Sequence, residues 1–236
     1  MRALAGWLVL AVFASGCGQS EPPAAPTLDV EAATAAALDV RTSGCGPREG
    51  FGTGTLIADR LIVTAAHVVA GTDTVSTIDV DGTRRNAEVV WFDPDLDIAV
   101  LRSSAPHPQA PLILRFVVAQ ASEDGIVVLP REQDGVVAID VVDIEVIRRA
   151  SIDTTDIYLE DDVTRPGFEV DGTISTGDSG AMVVMVGGGV GIVWARSNRN
   201  EGRAWAIDLP PEITDGSLRN GLLDADPVDN GHCVPQ

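Results

Sequence analysis

Twelve short apolar runs, separated by turn residues, set the terms on which this chain can fold. They fall at 54–57, 61–64, 74–80, 85–91, 98–101, 125–129, 136–147, 155–159, 168–170, 181–186, 191–194 and 204–207. Between them lie turn signals such as Asp81-Gly82 and Gly187-Gly188-Gly189, where glycine and aspartate supply backbone shapes that strands cannot. After residue 45 no amphipathic helical pattern exceeds about ten residues, so the periodicity is that of strands. The chain is 45% hydrophobic but only 4% aromatic, which implies a core of Val, Ile, Leu and Ala. An all-β fold, sandwich or barrel, follows from this number of short strands.

Chemistry concentrates in Gly172-Thr173-Ile174-Ser175-Thr176-Gly177-Asp178-Ser179-Gly180, a polar turn that leads into the apolar run at 181–186. Glycines on both sides of Ser179 allow a backbone shape that exposes its hydroxyl and leaves nearby N–H groups free, as acyl transfer requires. The same tetrapeptide also occurs as an ordinary loop, so partners must be found. His67 follows Ala65-Ala66 and the run at 61–64. It reads either as a core-edge histidine or as a general base, and the small alanines leave room for close approach to its ring. Of Asp93, Asp95 and Asp97, the last directly precedes the buried run at 98–101. That position desolvates a carboxylate and fixes it in place, whereas Asp93-Pro94 reads as a turn opening.

The blocks Thr64-Ala65-Ala66-His67, Asp95-Leu96-Asp97-Ile98-Ala99-Val100-Leu101 and Gly177-Asp178-Ser179-Gly180 occur in that order. Together they make the chain resemble secreted or membrane-associated serine proteases of the chymotrypsin/trypsin superfamily, on its bacterial side. The resemblance covers nearly everything from Cys45 onward. It implies two packed six-stranded antiparallel β-barrels, barrel 1 at about 45–105 and barrel 2 at about 112–210, within a domain spanning 41–236 with a tail at 211–236. The crossover is expected near 103–111, where Pro106, Pro108 and Pro111 cluster. His67, Asp97 and Ser179 would form the triad, with the N–H groups of Gly177 and Ser179 as the oxyanion hole. Asp178 is expected to cap its own turn, because no zymogen-type cleavage site precedes Cys45. In the family, the base of the primary substrate pocket lies at the position Thr173 occupies here. Val193, Trp194 and Ala195 would form the far wall, giving a preference for small or medium apolar side chains, while Asp171 two residues earlier would favour a basic one. The implied activity is a serine endopeptidase acting on protein or peptide substrates. Its rivals are a protease-fold binding module with a dead triad, an esterase and a structural envelope lipoprotein.

The N-terminus carries a second signal. Arg2, the apolar run at 3–14 and Ser15-Gly16-Cys17 describe an export leader at 1–16, too short to span a membrane. Ending on cysteine, it resembles a bacterial lipoprotein signal in which Cys17 takes the lipid, although Ala14 stands where leucine is usual. Residues 17–40 read as a Pro/Ala-rich tether with a possible short helix at 29–38. The expected location is the cell envelope, lipid-anchored and facing the periplasm or exterior, or else secreted. If Cys17 carries lipid, Cys45 and Cys233 remain, and they are expected to form a disulfide like the long bridge of similar bacterial proteases. All 16 basic residues are arginine against 35 acidic ones, for a net charge of −19, which argues against nucleic acid as a partner. No metal-binding or nucleotide-binding spacing is present, so neither cofactor nor metal is expected. Glu160, Asp161 and Asp162 read as a solvated loop rather than a calcium site. A monomer is expected.

Overall fold

Each apolar run ends where a turn residue reverses the chain, so neighbouring runs pair antiparallel until no edge is left. The computed structural model describes residues 27–133 and 136–234. Six strands close the first barrel: β1 (Ala37–Ser43), β2 (Gly50–Ala58), β3 (Leu61–Thr64), β4 (Thr74–Ile78), β5 (Arg84–Asp93) and β6 (Ile98–Ser103). They are arranged β1-β2-β3-β6-β5-β4, with β4 pairing back onto β1. The second barrel holds β7 (Asp124–Gln133), β8 (Val136–Thr155), β9 (Asp162–Asp171), β10 (Met182–Met185), β11 (Gly188–Arg196) and β12 (Arg203–Asp208). Its order is β10-β11-β12-β9-β8-β7, closed by β7 on β10. Two six-stranded barrels are thus present as expected, and closure removes the exposed strand edges of both.

Four short helices complete the described residues: α1 (Val30–Ala36), α2 (Ala66–Val69), α3 (Pro211–Thr214) and α4 (Arg219–Leu222). None is long and apolar enough to cross a membrane. The alanine-rich segment does make a helix, capped by the Asp29 carboxylate accepting from Ala32 N–H at 2.9 Å. It runs straight into β1, so the first barrel begins at Ala37, ahead of the expected start. Here alternation takes over from helix propensity. Leu38 and Val40 are buried, and the buried Asp39 carboxylate between them accepts two hydrogen bonds from Arg41 at 2.7 and 2.8 Å. Of the run at 155–159, read as a strand, only Thr155 lies on one, ending β8, and the rest forms the turn between β8 and β9. Asp156 accepts from the N–H groups of Tyr158 and Glu160, and Leu159 takes a left-handed φ of 63°, both of which stop a strand. The leader, and with it Cys17, lies outside the described residues.

Two apolar clusters form the core. One fills barrel 2 with Val127, Leu129, Phe168, Val170 and Val183 among others. The other fills barrel 1 and continues across the junction into Ile126, Val128, Met182, Val184, Ile192 and Ile207 of barrel 2. Successive residues of β7 and β10 therefore serve different cores, the inward face their own barrel and the outward face the partner barrel. At about 1.5–3 kcal/mol for each fully buried aliphatic side chain, this shared face fixes how the barrels meet. The crossover between β6 and β7 bonds to both, with Leu112 N–H donating to Leu56 O and Arg115 N–H to Gly189 O.

Candidate active site

The junction carries the three chemical groups singled out in the sequence. His67 sits on α2, the single turn that follows β3, and Asp97 immediately precedes β6, which pairs with β3. Strand pairing therefore brings the two together. His67 Nδ1 and Asp97 Oδ2 lie 2.8 Å apart, and Asp97 Oδ1 accepts the His67 backbone N–H, also at 2.8 Å. The carboxylate is 1% exposed and so almost wholly shielded from water. Asp97 has a φ of 58°, a left-handed shape costly for a residue with a side chain and one that gathers at functional sites.

Burial works against a charged imidazole at His67. The charge and hydrogen bond of Asp97 outweigh it, holding the ring above its ordinary value of 6.5, and Arg165 pulls the other way. The His67 side chain keeps 30% of its surface open, on a cleft of about 640 Å³ that Ser179, Gly177 and Thr176 also line. Cys45, Phe51 and Val234 also line it.

Ser179 is held by close contact between the barrels. Its carbonyl accepts from Thr53 N–H at 2.9 Å, and Gly180 N–H donates to Val193 O at 2.8 Å. Gly180 has a φ of 86°, and a Cβ there would stand 2.2 Å from Thr53 O. Only glycine permits that approach. Gly177 has a φ of 97°, and a Cβ on it would meet the Phe51 ring at 2.3 Å. Neither the Gly177 nor the Ser179 amide donates a backbone hydrogen bond among the described residues, as an oxyanion hole requires of its donors.

Asp178 does cap its turn, as expected. One carboxylate oxygen accepts from Ser175 N–H at 2.7 Å. The other accepts from Arg131 of β7, also at 2.7 Å, a partner that no local pattern announced. Arg165, Phe51 and Thr53 also escaped the sequence reading. Only Phe51, an aromatic in a chain poor in them and 53% exposed, carried a usable signal.

The residues expected around the substrate pocket do not all border one cleft. Trp194 and Ala195 line a second cleft of about 620 Å³, together with Arg148, Arg196, Arg199 and Arg203. Val193 is buried, its N–H donating to Ala181 O at 2.8 Å. Thr173 is exposed on the turn and borders neither cleft. Cys45 and Cys233 are bonded, with Cα atoms 5.5 Å apart.

This arrangement can be set against known proteins. The family model for the trypsin-like peptidase domain matches residues 52–190, more than half of the chain. Serine protease Rv3671c of Mycobacterium tuberculosis strain H37Rv is 33% identical over 187 residues, covering 78% of this chain and 45% of that protein. Serine protease MT3772 of strain CDC 1551 matches to the same extent. The chain thus spans about half the length of these curated relatives. In structure, the active form of the Rv3671c protease superposes with a TM-score of 0.75 at 24% identity, covering 97% of this chain and 100% of that one. The serine endoprotease from Yersinia pestis gives 0.62 at 19% identity, over 82% of this chain and 65% of that one. These structural likenesses speak for the fold, and the family match for descent. With a trypsin-like model matched over most of both barrels and a curated relative one-third identical, this chain belongs to the trypsin-like peptidase domain family.

Proposed function

We propose that the chain is a serine endopeptidase working through an acyl-enzyme, with Ser179 as nucleophile, His67 as general base and Asp97 as the group that orients it. One observation carries this reading: Asp97 binds both the ring and the backbone of His67, on a cleft His67 shares with Ser179 and Gly177. Ser179 Oγ attacks the substrate carbonyl while His67 Nε2 takes its proton. The oxyanion that forms accepts from the Gly177 and Ser179 N–H groups. His67 then gives the proton to the leaving amine, the C–N bond breaks, and water repeats the cycle on the ester. Asp97 stays ionised throughout and steadies the imidazolium.

The primary preference in this reading is for a small or medium apolar side chain before the scissile bond. Thr173 offers no buried carboxylate for a basic one, and such pockets discriminate by about 1–3 kcal/mol per methylene misfit. Protein or peptide substrates fit the family. A monomer lipid-anchored at Cys17 in the cell envelope completes the proposal, and the mass of the mature N-terminus checks the anchor. Cleavage of an unbiased peptide library tests the rest. Cuts after alanine, valine or leucine that vanish in Ser179→Ala support the assignment. Cuts after arginine or lysine would point to Asp171 instead, and cleavage that survives Ser179→Ala would overturn the mechanism.

A further inference from the structure

Arg165 is 1% exposed, one of the largest fully buried side chains in the protein. It lies on β9, where Phe168 and Val170 face the interior of barrel 2. Its parity is opposite to theirs, so its side chain leaves that barrel and enters the junction. There it meets backbone rather than a carboxylate. Nε donates to Asp95 O at 2.6 Å and Nη2 to Pro94 O at 3.3 Å. The N–H of Ile157, from the β8–β9 turn, reaches the same Pro94 carbonyl at 3.4 Å. The turn immediately before Asp97 is therefore tied to the opposite barrel by three donors. The guanidinium also lies over the Trp194 ring, its Cζ 4.9 Å from the centroid, on the strand that borders the second cleft.

Burying a guanidinium is costly unless its donors are used. The carboxylates of Asp97, Asp156, Asp95 and Asp93 supply the opposing field that favours its charge. A buried cation spent on two carbonyls next to a left-handed aspartate does little for either barrel core.

We propose that Arg165 is a positioning residue: from barrel 2 it clamps the Pro94–Asp95 turn so that Asp97 is delivered to His67, and it links that turn to the Trp194 strand. The inference rests on the triad reading above. Because Arg165 acts through Asp97, its effect must disappear when Asp97 can no longer do its work.

The test is a double-mutant cycle on the full chain, with each kcat normalised to the fraction of sites that a fluorophosphonate titrates. Arg165→Gln is expected to lower normalised kcat about 100-fold, the scale of an ångström-level misplacement, with a much smaller change in KM. Arg165→Lys, which keeps one charged donor, should recover part of the loss. In an Asp97→Asn background, Arg165→Gln should cost nothing further. Independent, multiplicative losses would overturn the proposal, as would an unchanged normalised kcat. A second readout needs no turnover: the downfield proton resonance of His67 Nδ1–H in the Ser179→Ala chain. Its loss or broadening in Arg165→Gln supports the clamp, and its persistence unchanged counts against it. If the native chain shows no Ser179-dependent hydrolysis, the triad reading fails, while the resonance still decides whether Arg165 places Asp97.

Discussion

At His67 two opposing effects set the range in which the site can work. Burial disfavours the imidazolium, but Asp97, through its charge and its hydrogen bond, holds the ring above 6.5 while Arg165 opposes it. A base must be neutral to accept a proton, so kcat/KM should rise with pH through a midpoint above the ordinary histidine value. Stability runs the other way. With the folded value raised, the His67–Asp97 contribution is fully present below 6.5 and is lost as pH rises through the raised value. Asp97→Asn should lower that midpoint and cut kcat by orders of magnitude. A pH–rate profile of both proteins checks this, and an unmoved midpoint would contradict it. That Asp97 rather than a neighbour pairs with His67 was legible because it alone abuts a run that must be buried. The structure gives the other two separate tasks: Asp93 accepts from Leu96 N–H, and the Asp95 carbonyl accepts from Arg165. The left-handed φ of Asp97 was not legible, since no residue type announces it.

Among the elements, the turn before Ser179 depends on a strand far from it in sequence. Asp178 is buried between Gly177 and Ser179, which both line the cleft, and Arg131 on β7 supplies its cation across 47 residues. Burial pushes the Asp178 carboxyl up, against the Ser175 N–H and the Arg131 charge. Removing Arg131 leaves a buried carboxylate with one donor fewer. Arg131→Ala should therefore cost about 1–3 kcal/mol and slow hydrolysis, because the turn it steadies carries the proposed oxyanion donors. Urea denaturation and kcat/KM measure the two effects, and a variant equal to the native chain in both would contradict this account. Pairings of this kind are set by closure of the barrel rather than by local pattern, which is why the ion pair was invisible in the sequence while the turn cap was not. The same reason hid β1. Its alternation begins within an alanine-rich stretch, where helix propensity dominates any short window, and only its pairing with β2 and β4 makes it a strand. At 155–159 apolar residues resembled a strand, yet Asp156 drew the chain into a turn through its own side chain.

Over the whole molecule, the tail is tied back to the beginning of barrel 1. The bond between Cys45 and Cys233 spans a separation of 188 residues, and Asn230 Nδ2 donates to Val69 O and Thr72 O just after the His67 turn. On a chain-entropy basis so long a loop contributes at most about 5 kcal/mol. Cys45→Ser should lower the denaturation midpoint accordingly, and reductant should do the same to the native chain but not to the variant. Equal midpoints with and without reductant would contradict a stabilising bridge. The runs alone led to an all-β fold, sandwich or barrel, and it was the resemblance carried by the three motifs that selected two six-stranded barrels. A substrate pocket depends on how the exposed turn at Thr173 sits against β11, which no short window of sequence carries. Whether Ser179 is a nucleophile activated by His67 is decided by mapping a fluorophosphonate adduct on the folded chain by mass spectrometry. A single adduct on Ser179, abolished in His67→Ala, is the expected result. No adduct in the native chain, or an adduct on Ser179 that forms equally well without His67, would contradict it.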